Sequence, residues 1–413
     1  MTASVNASRS QGFSLIELMV GMAIGLLCTL VIATVLSSSE GLRRGLTSGT
    51  DAQIAGGMAI FSLQRDIASA GYGFASESNA VGCLLQARFN GAPVAAFPTR
   101  LAPVFINQGL AGASDEIRVI SSSKGIDPER GSTIGFTAPL RIAAHGAAGA
   151  GAQPGYTAGN QLYQVVTPIG FAQGDLVVAV PEPSVAPAPE LPCELFEVNG
   201  PVVAAKFAAS GPNIPRIDDA ARWNPPNFPA NQLLTGTSTT LGGFLVNLGF
   251  ISDRIYRVNS ERRLEVAILN TPNLLTRTVR EIQGDVVLMK AMYGRDTDGD
   301  QAVDIYDYTT PANRDDWQNV FSVRLAIVAR SGHYSKEEVT AAEPSWDVGT
   351  AISVSGAAMC GSSKCITLKV SNVSSDWKHY KYRVFDTVVP LRNQRFRSGN
   401  LVPPASAPSA ASS

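Results

Sequence analysis

Apolar residues follow two different patterns in the first part of the chain. An uninterrupted apolar stretch without any charge runs from Leu18 to Leu36. From Ser37 to about Ala70 the chain stays compatible with a helix, and near its end apolar residues recur at steps of three and four, the period of an amphipathic helix. The cluster Gly71-Tyr72-Gly73 is expected to end that helix. The pattern therefore predicts one long helix, whose second half buries the stripe Ile60, Leu63, Ile67 and Ala70.

Short β-rich runs between Gly, Pro and Ser turns follow beyond residue 73. In the two clearest runs, Leu264–Ile268 and Phe321–Ile327, apolar and polar residues alternate. Such alternation predicts strands with one buried and one solvated face, as in an antiparallel sheet on a helix. The predicted fold class is therefore α+β, a long N-terminal helix packed on a large antiparallel β-sheet domain. The other predicted strands are Glu116–Ser121, Tyr163–Thr167, Asp175–Val180 and Val202–Phe207.

The composition of the chain limits the kinds of molecule that are expected to bind it. Of the 413 residues 45% are hydrophobic and 16% are charged, and the formal net charge is −1. Because phosphate binding needs clustered positive charge and no Lys/Arg block is present, nucleic acid is not expected as a partner. A surface built from Ser, Thr, Asn and Gly suits an exported protein. No G-x-S-x-G, Walker or paired Cys/His motif occurs, so no enzyme activity is predicted.

The apolar stretch is about long enough to cross a bilayer core of ~30 Å. It is long for the apolar part of a signal peptide, and no small-x-small cleavage site follows it. A simple membrane anchor leaves Glu17 unexplained, since this residue lies directly against the apolar stretch. An ionisable group at such a position is costly and needs a partner. No Lys or Arg nearby on the helix offers one, whereas a second molecule could supply it.

Residues 12–17, Gly-Phe-Ser-Leu-Ile-Glu, resemble the processing signal of type IV prepilins. The resemblance implies that a membrane peptidase removes residues 1–12 by cutting after Gly12, and that Phe13 is then N-methylated. It also implies that Glu17 pairs with the N-terminal amine of a neighbouring subunit. The leader carries Arg9 as its only charge, which agrees with a cytoplasmic leader.

The C-terminal part resembles the PilW family of type IV pilus assembly proteins. The matching segments are residues 292–294 (MYG), 323–331 (VRLAIVARS) and 380–393 (YKYRVFDTVVPLRN). The resemblance implies a pilin-like fold and a minor pilin that acts in initiation, assembly or the tip of the filament. The implied partners are other major and minor pilins through the N-terminal helix, the prepilin peptidase, the inner membrane and a tip adhesin.

The resulting division of the chain is a prepilin leader, a transmembrane helix, its amphipathic continuation, a periplasmic β-rich domain and a disordered tail. These parts are expected at residues 1–12, 13–36, 37–72, 73–400 and 401–413. After processing, the protein is expected to move from the inner membrane into the extracellular pilus. Two other functions stay open, a minor pseudopilin of a type II secretion system and a membrane-tethered ligand-binding module.

An acidic loop near residue 300 has the spacing of a calcium loop. Its carboxylates occupy positions one, three, five, nine and twelve of a twelve-residue stretch, which are EF-hand ligand positions. Two departures are Gln301 in place of Gly at position six and Asp in place of Glu at position twelve. The alternative is a solvated hairpin turn, but five carboxylates so close would repel one another. The candidate ligands for a structural Ca²⁺ are Asp296, Asp298, Asp300, Ala302 through its carbonyl, Asp304 and Asp307.

Four of the five cysteines lie outside the apolar stretch, and none is in a CxxC motif. They are interpreted as disulfides formed in an oxidising compartment. Cys360 and Cys365 bracket a small loop and are expected to pair, which leaves Cys83 with Cys193 by elimination. Cys28 lies in the apolar stretch and is interpreted as a small packing residue.

Overall fold

A computed structural model describes residues 12, 14–124, 137–142, 156–157, 162–181, 190–203, 212–226, 243–269, 276–350 and 357–395. The predicted leader up to residue 11, Phe13 and the predicted tail lie outside these residues. The helices are α1 (Leu15–Ala68), α2 (Arg314–Gln318) and α3 (Arg392–Arg395), with short 3-10 helices at Leu110–Gly112, Val370–Asn372 and Trp377–His379.

The other regular elements of the described residues are strands. In the first part of the domain these are β1 (Leu85–Gln86), β2 (Arg88–Phe89), β3 (Ala92–Pro93), β4 (Val104–Asn107), β5 (Glu116–Ser121), β6 (Leu140–Arg141), β7 (Tyr156–Thr157), β8 (Leu162–Gln164), β9 (Leu176–Val180), β10 (Cys193–Glu197) and β11 (Asn213–Pro215). In the second part they are β12 (Phe244–Gly249), β13 (Ser252–Val258), β14 (Arg263–Leu269), β15 (Arg277–Gly284), β16 (Val286–Arg295), β17 (Ile305–Asp307), β18 (Val320–Arg330), β19 (Ser345–Gly349), β20 (Ala358–Cys360), β21 (Ser363–Thr367) and β22 (Tyr382–Pro390).

The long N-terminal helix is confirmed as one continuous element of 54 residues. At 1.5 Å per residue α1 is about 80 Å long. It ends just before the predicted glycine cluster, where Gly71 and Gly73 have φ of 75° and 89°. The Gly71 N–H donates to the carbonyl of Ile120 at 2.8 Å instead of continuing the helix. The left-handed backbone of these glycines therefore turns the chain away from the helix axis.

One stripe of the second half of α1 is buried on the β domain. Leu63, Ile67 and Ala70 are fully buried there, as the periodicity predicts. Ile60 is only partly buried, and its neighbour Ala59 occupies the centre of the contact instead. Small residues allow the helix axis to come close to the sheet. At Gly56 an added Cβ would overlap the ring of Phe385 on β22, so glycine is what permits this approach.

The sheet β17-β16-β18-β22 lies under α1, and all its neighbouring strands are antiparallel. α1 contacts β16, β18 and β22 of this sheet and also β15. Val323, Leu325 and Ile327 of β18 join Leu63 and Ile67 of α1 in the main apolar cluster. The α+β class with an antiparallel sheet on a helix is thus confirmed.

The prediction of one solvated face for the two alternating strands is wrong. The second face of β18 carries Ala326 and Val328, which pack against Trp346 and Val348 of a small sheet, β19-β21-β20. On β14, Glu265 is also buried, at 9% exposure, and its carboxylate accepts hydrogen bonds from Arg257 and Asn259. The small β19-β21-β20 sheet covers the second face of β18, and on β14 the buried polar group is paired. Alternation alone assigns both of these faces to solvent.

The rest of the domain consists of further sheets. Their strand orders are β15-β14-β13-β5-β4, β1-β10-β9-β12-β6, β11-β8-β7 and β2-β3. Only β1 and β10 pair in parallel among the ladders of the described residues. Predicted strand Glu116–Ser121 coincides with β5, whereas Tyr163–Thr167 and Asp175–Val180 overlap β8 and β9. Residues 204–207 of the fourth predicted strand lie outside the described part of the chain.

Candidate functional site: the N-terminal helix and its support

The start of α1 is capped by the acidic residue that the sequence singles out. The backbone N–H of Ser14 donates to Glu17 Oε2 at 3.1 Å. Ser14 is the residue immediately before the helix, so this contact is one half of a capping box. The sequence offers Glu17 no nearby cationic partner on its own helix, and the structure supplies a backbone N–H instead. Both Glu17 and Gly12 are exposed.

The first half of α1 makes no contact that buries it. Residues Leu15–Ser37 form a 23-residue apolar segment with none of it buried in the protein. Even its large apolar side chains are exposed, from 53% for Val20 to 76% for Leu15. At helical rise the segment spans about 34 Å, enough to cross the apolar core of a bilayer. An apolar surface of this size needs lipid or other apolar helices around it.

The hydroxyl groups inside this segment are satisfied by the helix itself. Thr29 Oγ1 donates to the carbonyl of Leu26 at 2.8 Å, and Thr34 Oγ1 donates to that of Val31 at 2.8 Å. Internal bonding of this kind removes the cost of placing a hydroxyl in hydrocarbon.

A buried polar anchor fixes the second half of α1 on the domain. Asp66 Oδ2 accepts from Arg254 Nη1 at 2.6 Å and from the hydroxyl of Tyr256, both on β13. Asp66 is only 7% exposed. Burial, and next the Asp66 charge, raise the pKa of the Tyr256 hydroxyl far above its usual value. The sequence places Asp66 off the apolar stripe, so the periodicity does not reveal that it is buried.

The end of α1 is held by a residue of the last motif. Asn393 Nδ2 donates to the carbonyls of Ser69 and Ala70 at 3.2 and 3.0 Å. The next residue, Gln394, is fully buried and donates to the carbonyl of Trp317 at 2.6 Å. Carbonyls at a helix C-terminus lack partners within the helix. The carbonyl of Ser69 also accepts from the N–H of Tyr72 at 3.2 Å, so Asn393 adds a second donor there and a donor for Ala70.

The acidic loop joins β16 to β17, and the structure brings only part of its predicted ligand set together. Carboxylate oxygens of Asp296, Asp298 and Asp304 lie within 4.8 Å of one another. The Asp307 carboxylate instead pairs with Arg295, and Asp300 Oδ1 accepts from the N–H of Ala302 at 2.7 Å.

Backbone donors already hold the loop in shape. Asp296 accepts from the N–H groups of Asp298, Gly299 and Gln301 at 3.1, 2.6 and 2.8 Å. Gln301 takes the left-handed conformation, with φ 68°, at the position where an EF-hand has glycine. Calcium binding stays a prediction, with three clustered carboxylates as its ligand candidates.

Both expected cysteine pairs are joined in the structure. Cys83 and Cys193 form a buried disulfide with a Cα–Cα distance of 6.0 Å, next to the parallel pairing of β1 and β10. Cys360 and Cys365 form a second disulfide, with a Cα–Cα distance of 5.7 Å, across the turn between β20 and β21. Cys28 is free and exposed in the apolar segment of α1.

Two family models match the chain. Residues 258–393 match the type IV pilus-assembly protein W family, PilW, and residues 7–36 match the prokaryotic N-terminal methylation motif. These two matches are those of a PilW-family, prepilin-type protein. They support a type IV pilus-related, pilin-like protein, and the matched PilW family is one of pilus-assembly proteins. No curated protein and no solved structure matches the chain.

The PilW region covers much of the support of the helix, although Arg254 and Tyr256, which hold Asp66, precede it. It begins at the end of β13 and includes β16, β18 and β22, the three strands of the central sheet that α1 contacts. It ends at Asn393, which donates to the carbonyls of the two residues just after α1. The methylation motif covers the other end of the same element, including Glu17 and most of the apolar segment. The two matches together thus cover both ends of α1 and the sheet that carries it, and they fit a membrane-anchored pilin.

Proposed function

We propose that this PilW-family protein is a minor pilin of a type IV pilus that takes part in initiation, assembly or the tip of the filament. One observation carries the proposal: a single unbroken helix has a fully exposed apolar first half and a second half packed on a β domain. A subunit of this shape can stand in a membrane and then exchange lipid for the helices of other subunits without refolding.

Processing by the prepilin peptidase between Gly12 and Phe13 belongs to this proposal. An added Cβ at Gly12 would meet no atom within 4 Å, so nothing in the fold itself demands glycine there. A requirement for glycine in the peptidase would explain its presence. The cut makes Phe13 the new N-terminal residue, directly before the N–H that Glu17 caps.

The proposed partner of Glu17 is the N-terminal amine of a neighbouring pilin. The capping contact to Ser14 is made with one carboxylate oxygen, which leaves the group able to accept from a second donor. In the apolar surroundings of packed helices, a charged amine and a carboxylate stabilise each other far more than in water. The pairing would therefore select assembled subunits over single ones.

The proposed topology places the leader in the cytoplasm and the β domain in the periplasm. The two disulfides support this orientation, because disulfides persist in oxidising compartments. Other major and minor pilins are the proposed partners through the apolar half of α1, and a tip adhesin is a further candidate.

The test is the presence of the protein in filaments sheared from cells that carry Glu17→Gln. We expect the parent in the sheared fraction and the variant in the membrane fraction only, with assembly reduced at least tenfold. Glu337→Gln is the matched control, since Glu337 is an exposed carboxylate of the β domain, and it should behave as the parent. Parent protein that never leaves the membrane contradicts the minor pilin role and favours a tethered binding module. Parent protein that is processed but enters only a secretion pseudopilus favours that second class.

A further inference from the structure

Three polar side chains meet deep in the β domain. Lys124, Asp175 and Asn247 are 2%, 5% and 1% exposed. Lys124 follows β5, Asp175 precedes β9 and Asn247 lies on β12, so the three come from distant parts of the sequence. The Lys124 Nζ lies 2.8 Å from Asp175 Oδ2, and Asn247 Nδ2 donates to the same oxygen at 2.8 Å. An amine and an amide nitrogen thus share one buried carboxylate oxygen.

Both polar atoms of the Asn247 side-chain amide make hydrogen bonds. Its Oδ1 accepts from the backbone N–H of Gly249 at 2.8 Å, and its Nδ2 also donates to the carbonyl of Gly170 at 2.8 Å. A hydrogen bond to the carbonyl oxygen draws electron density from Cγ, and the donor is already in place to stabilise negative charge on that oxygen.

Gly249 also brings the lysine alongside this amide. An added Cβ at Gly249 would lie 3.3 Å from Lys124 Cγ and 3.5 Å from its Cε, so the lysine stem runs across the open face of this glycine. The same residue therefore donates to the amide oxygen and makes room for the amine. Lys124 Nζ and Asn247 Nδ2 can be no more than 5.6 Å apart, since each is 2.8 Å from one atom.

These contacts assign a role to each group in an acyl transfer. Lys124 is a nucleophile once its proton has passed to the carboxylate it contacts. Asp175 touches both the attacking nitrogen and the leaving nitrogen, which is the position of a general acid and base. The Gly249 N–H faces the oxygen that gains charge. Burial keeps water, the competing nucleophile, from the carbonyl carbon.

We propose that Lys124 and Asn247 become joined by an intramolecular amide bond. Lys124 Nζ attacks Cγ of Asn247, and the resulting oxyanion is held by the Gly249 N–H. Asp175 gives its proton to Nδ2 and takes one from Nζ, the Cγ–Nδ2 bond breaks, and its electron pair leaves with ammonia. The product is one new Nζ–Cγ bond and one ammonia, with Asp175 again in its acid form.

The bond would join the end of β5 covalently to β12, two strands that belong to different sheets. The sheet that contains β12 is also the one tied by the Cys83–Cys193 disulfide. A domain with both links would resist separation of its sheets under tension. The inference depends only on the β domain and stands apart from the role proposed for the chain.

The test is the mass of the full-length chain, purified in detergent and reduced. The parent should be lighter by one ammonia than its sequence requires, and digestion should release one branched peptide that contains both Lys124 and Asn247. Lys124→Arg keeps a cation beside Asp175 but has no reactive amine, so it should have the full mass. Asp175→Asn keeps both reacting groups without the acid and should also have the full mass.

The decisive result comes from the parent, so it does not depend on whether the variants fold. A parent of full mass, with Lys124 and Asn247 in separate unmodified peptides, overturns the proposal and leaves a buried ion pair. Loss of ammonia without a branched peptide also overturns it, because an Asn-Gly sequence such as Asn90-Gly91 or Asn199-Gly200 can lose ammonia on its own. Loss of one water between Lys124 and Asp175 overturns the assignment of Asn247 as the acceptor.

Discussion

Asp66 shows how a single buried carboxylate can fix an element of secondary structure. Apolar contacts along α1 allow the helix to slide or rotate by small amounts, whereas a hydrogen-bonded ion pair is satisfied in one geometry only. Asp66 contacts Arg254 and Tyr256 on the same strand, so it fixes the position of the helix relative to β13. The direction of the apolar half of α1 relative to the domain follows from this contact.

Asp66→Ala is expected to lower the free energy of unfolding of the domain by about 3 to 5 kcal/mol. The reason is that the change leaves the Arg254 charge partly buried without its partner. Arg65→Ala is the matched control on the same turn, and because its side chain is 71% exposed it should cost under about 0.5 kcal/mol. Denaturant unfolding followed by tryptophan fluorescence measures both, and equal effects of the two variants would contradict the anchor.

At the scale of secondary-structure elements, the two halves of α1 differ in which of their faces are buried. The first half has no inward face, because none of it is buried on the β domain. The second half is amphipathic, and small residues allow it to lie close to β22, where Gly56 faces Phe385. The sequence shows the two halves through periodicity, but it does not show which small residue makes the closest contact.

Two adjacent glycines of α1 allow a direct test of this close approach. In Gly56→Ala the new methyl group overlaps the Phe385 ring, and a loss of about 1 to 3 kcal/mol is expected from overpacking. In Gly57→Ala nothing lies within 4 Å of the new methyl, so a gain of about 0.5 to 1 kcal/mol is expected from helix propensity. Opposite signs in thermal unfolding support the packing, and two stabilising substitutions would contradict it.

The hairpin loop between β16 and β17 carries the calcium prediction. If Asp296, Asp298 and Asp304 bind Ca²⁺, the ion should stabilise the protein by about 1.4 kcal/mol at ten times its dissociation constant. Asp298→Asn with Asp304→Asn should abolish that gain, measured as a shift of the thermal midpoint with calcium against magnesium.

Asp300→Asn distinguishes the ligand set that clusters in the structure from the set that the sequence spacing predicts. Asp300 occupies an EF-hand position but is not among the clustered carboxylates, so its loss should leave the calcium effect unchanged. A parent without any calcium-dependent shift would make this loop an ordinary turn, held by the N–H contacts to Asp296.

At the scale of the whole molecule, the sequence predicts the helix better than the domain. The apolar stretch, the apolar stripe along the helix and the glycine cluster that ends the helix are local signals. The structure confirms each of them. The pairing of β5 with β13 joins residues such as Ser121 and Ser252, and local periodicity carries no information about such distant partners. The covering of β18 by the small β19-β21-β20 sheet escapes prediction for the same reason.

The sequence predicts only part of the structure that supports the helix. The residues of β16, β18 and β22 are recognisable from their motifs, but their common role under α1 appears only in the fold. Asp66 and Asn393, which fasten the helix by hydrogen bonds, have no local pattern that distinguishes them from surface residues. The predicted calcium ligands fail to converge fully for a physical reason, because Arg295 neutralises Asp307 within the hairpin.

The most direct test of the proposed role is the N-terminal mass of the protein extracted from membranes, with and without the prepilin peptidase. The account predicts a product that begins at methylated Phe13 only when the peptidase is present, and its loss when Gly12 is replaced by Val. A product that still carries residues 1–12 in the presence of active peptidase would contradict the account, and would make the chain a permanent membrane anchor for its β domain.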